Sequence, residues 1–279
     1  MTILIKAEEL AKHLDDPDWV VIDTRHDMVD VEKGRKAYAA GHIPGAFFLH
    51  TDDDLSGTKT GANGRHPLPP LDVFATKINA CGITPRTQVV IYDDLAGNFA
   101  VRLWWMLRWL GHDKAALLDG GFPLWAKEGR PVDAKVPAPR KGDFLPKPHL
   151  GATVDVHFVD RFRESPEIVL LDARAPERFK GLQEAIDPVA GHIPGAVNRF
   201  WQKNLNPDAT FKPAKQLRAE YDELLGARDH ARVVHMCGSG VTACHNLFAM
   251  ELAGLPAGRL YVGSWSEWCA DPARAVAKY

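Results

Sequence analysis

The sequence predicts an α/β protein of two homologous domains, each a doubly wound, mostly parallel sheet with helices on both faces. Three observations point there. The hexapeptide GHIPGA occurs identically at Gly41 to Ala46 and at Gly191 to Ala196, an offset of 150 residues that is too long for a stacked-repeat unit and suits a duplicated domain. Other segments recur in the same order: VVIDTR at Val20 to Arg25 answers VLLDAR at Val169 to Arg174, QVVIYDD at Gln88 to Asp94 answers RVVHMCG at Arg232 to Gly238, and LLDGGFPLW at Leu117 to Trp125 answers LYVGSWSEW at Leu260 to Trp268. Within each half, short apolar runs alternate with helical periodicity, the pattern of parallel strands joined by crossover helices.

In chain order, the spacing predicts a helix near Lys6 to Leu14, a strand over Trp19 to Asp23, a strand near Phe47 and a helix over Leu71 to Cys81. A strand at Gln88 to Tyr92, a helix over Asn98 to Leu110, a strand at Ala115 to Leu118 and a helix over Phe122 to Lys127 complete the first half. The second half repeats the order. Between them, RPVDAKVPAPRKGDFLPKPH (Arg130 to His149) has five prolines and five Lys or Arg residues and little periodicity, so it reads as an extended linker. The domains are therefore placed at 1–133 and 153–279, with the linker at 134–152. Gly41 to Asp93 spans 52 positions against 46 for Gly191 to Cys237, and the excess falls in the Gly- and Pro-rich SGTKTGANGRHPLPP (Ser56 to Pro70), a loop by composition.

The bulk properties narrow the function. With 279 residues the chain is long enough for two cores, and a charged content of 25% with a formal charge of -2 lacks the basic excess that binding nucleic acid or an anionic membrane calls for. No stretch of about 18 apolar residues and no cationic, apolar leader occurs. Four cysteines (Cys81, Cys237, Cys244, Cys269) show no paired short spacing, so a disulfide framework and a metal site are not expected and a reduced, cytoplasmic setting is.

The chemistry centres on RVVHMCGSGVTACHNLFAMELAG, where a β-type run ends at Cys237 and helical spacing begins near Val241. Strand ends of parallel sheets are where ligands bind, and the turn into a helix presents backbone N–H groups and the positive end of the helix dipole. Gly238 and Gly240 let the loop curl so that N–H groups from Gly238 through Val241 and Thr242 converge on one atom, surroundings that favour a thiolate and then a persulfide. The other three cysteines lack a Gly-flanked turn and read as small buried hydrophobes. Neither GxGxxG nor the Walker pattern is present. A cysteine phosphatase needs an arginine six positions after the cysteine, and that position is Ala243.

With the duplicated GHIPGA, the CGSGVT loop and the GSWSEW ending in order, the chain resembles the tandem rhodanese family over nearly its whole length. The resemblance implies two rhodanese-like domains with the reactive cysteine in the second, and the matching position of the first is Asp93, which cannot carry a persulfide. Thiosulfate-preferring members have Cys-Arg-Lys-Gly-Val-Thr in the loop; Gly238 and Ser239 here are like the 3-mercaptopyruvate sulfurtransferases. Also implied are a role for Ser239, a proton relay through His66 of GRHPLP and an aspartate (Asp52, with Asp53 and Asp54 as alternatives), and donor binding by Arg178 of ERFKG. A second donor-binding arginine of the mercaptopyruvate group falls near Gln183, where this chain departs from the pattern. The expected activity is transfer of sulfur from 3-mercaptopyruvate, through a Cys237 persulfide and without a cofactor, to a thiophilic acceptor such as cyanide, a small thiol or thioredoxin. The alternatives are a thiosulfate sulfurtransferase and a persulfide carrier for a protein partner. Asp23 with Arg25 and Asp172 with Arg174 read as ties between a strand end and its loop, a carboxylate near loop N–H groups and an arginine being a stable arrangement. His42 and His192 read as structural, since they occur in both halves, the silent one included.

Overall fold

The structure, a computed structural model, describes residues 2–279. It divides into two compact units. The first takes in the chain up to Gly57, Pro69–His149 and Asp208–Thr210; the second takes in Thr58–Leu68, Leu150–Pro207 and Phe211–Tyr279. Linker and insert thus fall differently from a single cut at 134–152. Residues after Arg130 are strapped to the first unit by backbone bonds from Arg140 to Ala80, Gly142 to Asn79, Lys147 to Leu110 and His149 to Trp109. The insert segment 58–68 belongs with the second unit.

The first unit runs β1 (Leu4–Ile5), α1 (Ala7–Ala11), β2 (Trp19–Asp23), α2 (Lys33–Ala40), β3 (Phe47–Phe48), α3 (Leu71–Ala80), β4 (Gln88–Tyr92), α4 (Ala100–Trp109), β5 (Ala115–Leu118) and α5 (Gly121–Lys127). Its sheet has the order β1-β5-β4-β2-β3, with every pair parallel. The continuous apolar runs of β2 and β4 suit strands covered on both faces. Val21, Val90, Tyr92, Ala116 and Leu118 pack with Ala7 and Leu10 of α1 and Trp125 of α5, whereas α4, carrying the WWMLRW run, is buried along most of its length. Helix α2 is absent from the predicted order because its sequence, KGRKAYAA, buries only Gly34 and Tyr38, too thin an apolar stripe to show as periodicity.

The second unit repeats the plan with β6 (Thr153–Val154), α6 (Val156–Phe162), β7 (Val169–Asp172), α7 (Pro176–Phe179), β8 (Val197–Asn198), α8 (Ala214–Leu225), β9 (Val233–Met236), α9 (Ala243–Leu252), β10 (Arg259–Tyr261) and α10 (Ser264–Trp268). The parallel sheet order is β6-β10-β9-β7-β8. Strand alternation sends Leu170, Val234 and Met236 to a layer with Val156, Val159, Trp265 and Trp268, and Val169, Leu171 and Val233 to a layer with Leu217, Tyr221 and Leu225 of α8. Helices therefore cover both faces.

The repeated motif is a strand-entry device. Arg25 Nη2 donates to Gly41 O at 2.7 Å, as Arg174 Nη2 donates to Gly191 O at 2.8 Å. His42 and His192 donate Nδ1–H to Tyr38 O and Phe179 O at 2.8 and 2.7 Å. The same bonds in both units mark these residues as structural. Among the described residues no helix is long and apolar enough to cross a membrane.

Candidate active site

Strand β9 delivers Cys237 to the loop that enters α9, at the carboxyl end of the sheet. The loop closes on itself: the Gly240 N–H donates to Cys237 Sγ at 3.2 Å. Gly240 has φ +77, and a Cβ there would lie 2.3 Å from Val262 O, so only glycine serves. The Cys237 N–H donates to Ser264 Oγ at 3.2 Å, and that hydroxyl donates to Tyr261 O at 2.9 Å. On the other side, Trp265 N–H donates to Cys237 O and Ser266 N–H to Gly238 O. Cys237 is 3% exposed. Val241 and Thr242 complete the loop, their carbonyls accepting from Cys244 and His245 as α9 begins.

Ser264 is a residue that sequence reasoning passed over. It has φ +53, a left-handed conformation costing a non-glycine residue about 1 kcal/mol or more. The repeat places Gly121 at the equivalent position, also with positive φ. The serine is explained by its hydroxyl, which satisfies the buried N–H of Cys237.

In the first unit the equivalent cradle is filled from within. Asp93, 0% exposed, accepts from the N–H groups of Leu95, Gly97, Phe99 and Ala100 at 2.7 to 2.9 Å. The loop that surrounds a sulfur in one unit surrounds a fixed carboxylate in the other.

Around the Cys237 loop the second unit assembles most of the predicted residues. His66 Nδ1 and Ser239 Oγ share a hydrogen bond of 2.7 Å, and both residues are buried. Arg178 faces Gly238: a Cβ built on that glycine would lie 3.5 Å from Arg178 Nη1. Its guanidinium is bound by Glu184, Nη2 to Oε1 at 2.8 Å and Nε to Oε2 at 3.2 Å, and its Nη2 also donates to Asp187 Oδ2 at 3.0 Å.

The second arginine sought near Gln183 is not there; Gln183 is exposed. A second guanidinium comes instead from Arg65, beside His66. Its Nη2 would lie 2.8 Å from a Cβ on Gly238, its Nη1 donates to Asp187 Oδ1, and its backbone N–H donates to Ser266 Oγ at 3.0 Å. Burial pulls the Arg65 guanidinium down from its ordinary value, and Cys237 pulls the other way. Two guanidiniums and two carboxylates thus balance beside the loop. The signal was a basic residue next to the predicted histidine, legible only once the insert's place in the fold is known.

Asp52 belongs to the first unit, where its Oδ2 lies 3.6 Å from His26 Nε2. Asp53 pairs with Arg35 at 2.9 Å and Asp54 with Lys77. Among the described residues, His26, His50 and Asp52 form a group of metal-ligating types within 4.8 Å. His50 spends both ring nitrogens on protein, Nε2–H donating to Val31 O at 2.8 Å and Nδ1 accepting from Asp53 N at 3.3 Å. All four cysteines are buried, and among the described residues none is joined in a disulfide. Burial pushes the Cys81 thiol up to about 12 and raises that of Cys269, the behaviour of inert thiols.

The rhodanese-like domain model matches residues 6–128 and 156–271. The chain belongs to the rhodanese-like family. It is 46% identical over 276 residues, 98% of this chain and 97% of the other, to the Pseudomonas aeruginosa protein named "Probable 3-mercaptopyruvate sulfurtransferase". It is 34% identical to the thiosulfate sulfurtransferase of Bos taurus over 90% of this chain and 85% of that one. The solved 3-mercaptopyruvate sulfurtransferase of Leishmania major superimposes with a TM-score of 0.84 and 31% identity, covering 96% of this rhodanese-like chain and 74% of its own.

Proposed function

We propose that the protein is a sulfurtransferase that takes sulfur from 3-mercaptopyruvate onto Cys237 and passes it to a thiophilic acceptor. The observation that carries this is the closed Cys237 loop, with the Gly240 N–H on the sulfur and the His66–Ser239 pair and Arg178 beside it. The Cys237 thiolate attacks the thiol sulfur of the donor; the carbon–sulfur bond breaks and its electron pair leaves as pyruvate enolate. The thiol proton moves to the enolate carbon, so that pyruvate and a Cys237 persulfide result, and the hydrogen-bonded Ser239 and His66 are the groups positioned to carry it. In the second step the acceptor attacks the outer sulfur, leaving as thiocyanate in the case of cyanide, and the thiolate returns. No metal or organic cofactor enters the scheme. A small thiol and reduced thioredoxin are further acceptors by chemistry, and we place the enzyme in the cytoplasm, where free thiols persist.

Mercaptopyruvate is favoured over thiosulfate by charge. Gly238 and Ser239 add no cation, and Glu184 and Asp187 already offset Arg178 and Arg65, which suits a monoanion better than a dianion. The relatives' names include both donors, so the two are to be compared directly. Steady-state turnover with each donor and cyanide is expected to favour mercaptopyruvate by more than about tenfold in kcat/KM. Cys237→Ser is expected to abolish turnover and the gain of one sulfur atom in mass while preserving the fold; retained turnover would overturn the assignment. Thiosulfate winning would overturn the donor.

A further inference from the structure

We propose that Arg65 is a donor-recognition residue, supplying with Arg178 the second guanidinium for the substrate carboxylate, and that Asp187 holds the gap between them in the free enzyme. The proposal deepens the sulfurtransferase assignment and rests on Cys237 as the reacting thiol. Four observations lead to it. Position 183 is an exposed glutamine, so no second arginine reaches the donor site from there, and Arg174, which also lies against Glu184, is spent on Asp172 and Gly191 O. Arg65 is placed over the loop by two fixed anchors on either side of its side chain, its own N–H on Ser266 and the His66–Ser239 bond. Among the described residues its buried Nε has no hydrogen-bond partner and its Nη2 faces Gly238, which leaves that edge of the fork for a planar anion.

The fourth observation is Asp187 itself. Its side chain is 2% exposed, with one oxygen on Arg65 and the other on Arg178. Two guanidiniums held this close repel unless an anion lies between them, and the protein supplies a carboxylate. The gap therefore has the width and chemistry to hold a carboxylate against both arginines. A donor entering with its thiol toward Cys237 offers another carboxylate to the same two forks, so its binding competes with Asp187.

Alkylation of Cys237 separates recognition from architecture. Iodoacetate and iodoacetamide react at the same kind of carbon and differ in bearing a carboxylate or a neutral amide. In Arg65→Gln the ratio of the iodoacetate to the iodoacetamide rate is expected to fall about tenfold or more, beyond whatever fall both rates share through the loss of a cation near the thiolate. KM for 3-mercaptopyruvate is expected to rise by a similar factor with kcat changed far less, and Arg65→Lys should recover part of the ratio. An unchanged ratio overturns the proposal, and so does a parallel fall in both rates, which would make Arg65 an anchor of the 58–68 segment. Wild-type Cys237 unreactive toward both reagents would overturn the sulfurtransferase assignment itself, and this proposal with it.

Discussion

Ser264 shows how a single residue carries two opposed demands. Its left-handed backbone favours glycine, as in the repeat, but the buried N–H of Cys237 needs an acceptor that glycine lacks. Replacing it with alanine loses the acceptor and keeps the strain, costing about 1–3 kcal/mol. Ser264→Gly loses the acceptor and relieves the strain, so it is expected to be more stable than Ser264→Ala by about 1 kcal/mol. Denaturant unfolding of the two variants checks the order, and both should form the persulfide more slowly because the start of the loop is no longer tied to β10. The reverse order of stability would mean that the left-handed conformation is not strained. Cys237 and its glycines were legible in the sequence from the strand-to-helix turn. Ser264 was hidden because a serine in a GSW sequence carries no mark of the backbone angle it adopts.

At the scale of the element, the β9–α9 loop and its counterpart after β4 are one cradle with two occupants. The N–H groups after β4 are satisfied by Asp93, and four of them lose their acceptor in Asp93→Ala, which is expected to destabilise the first unit by about 3 kcal/mol or more. Thermal unfolding should show it; a shift within error would mean that the cradle relaxes onto other acceptors. The strands were read correctly over Trp19–Asp23, Gln88–Tyr92 and Ala115–Leu118 because runs buried on both faces leave a continuous apolar signal. Helix α2 left none, since its contacts come from one tyrosine and a close-packed glycine.

For the molecule as a whole, buried histidines make stability fall in acid. His235 stands in β9 where the repeat has Ile91, and full burial lowers it from 6.5 to about 3; burial also lowers His112 and His192. Between those two values the unfolded chain binds a proton at His235 that the folded chain refuses, so stability is complete above 6.5 and falls as the pH drops toward 3. From pH 7 to pH 5 the contribution of His235 is about 2 kcal/mol, a fall in Tm of about 3–7 °C. His235→Ile, the residue of the repeat, should flatten the pH dependence of Tm; an unchanged slope would place the acid sensitivity elsewhere.

The duplication, the parallel α/β plan, the family and the cysteine with its loop were determined by the sequence alone, because each is a local pattern or a repeat of one. Only the tertiary structure decided which side chains stand over that loop. Arg65 and His66 are more than 170 positions from Ser239, and Asp187 meets Arg65 through a segment without regular structure, so neither periodicity nor spacing records the encounter. Such contacts depend on how a Gly- and Pro-rich insert folds back onto the second unit, and it does so through hydrogen bonds and ion pairs between residues that are ordinary when read singly.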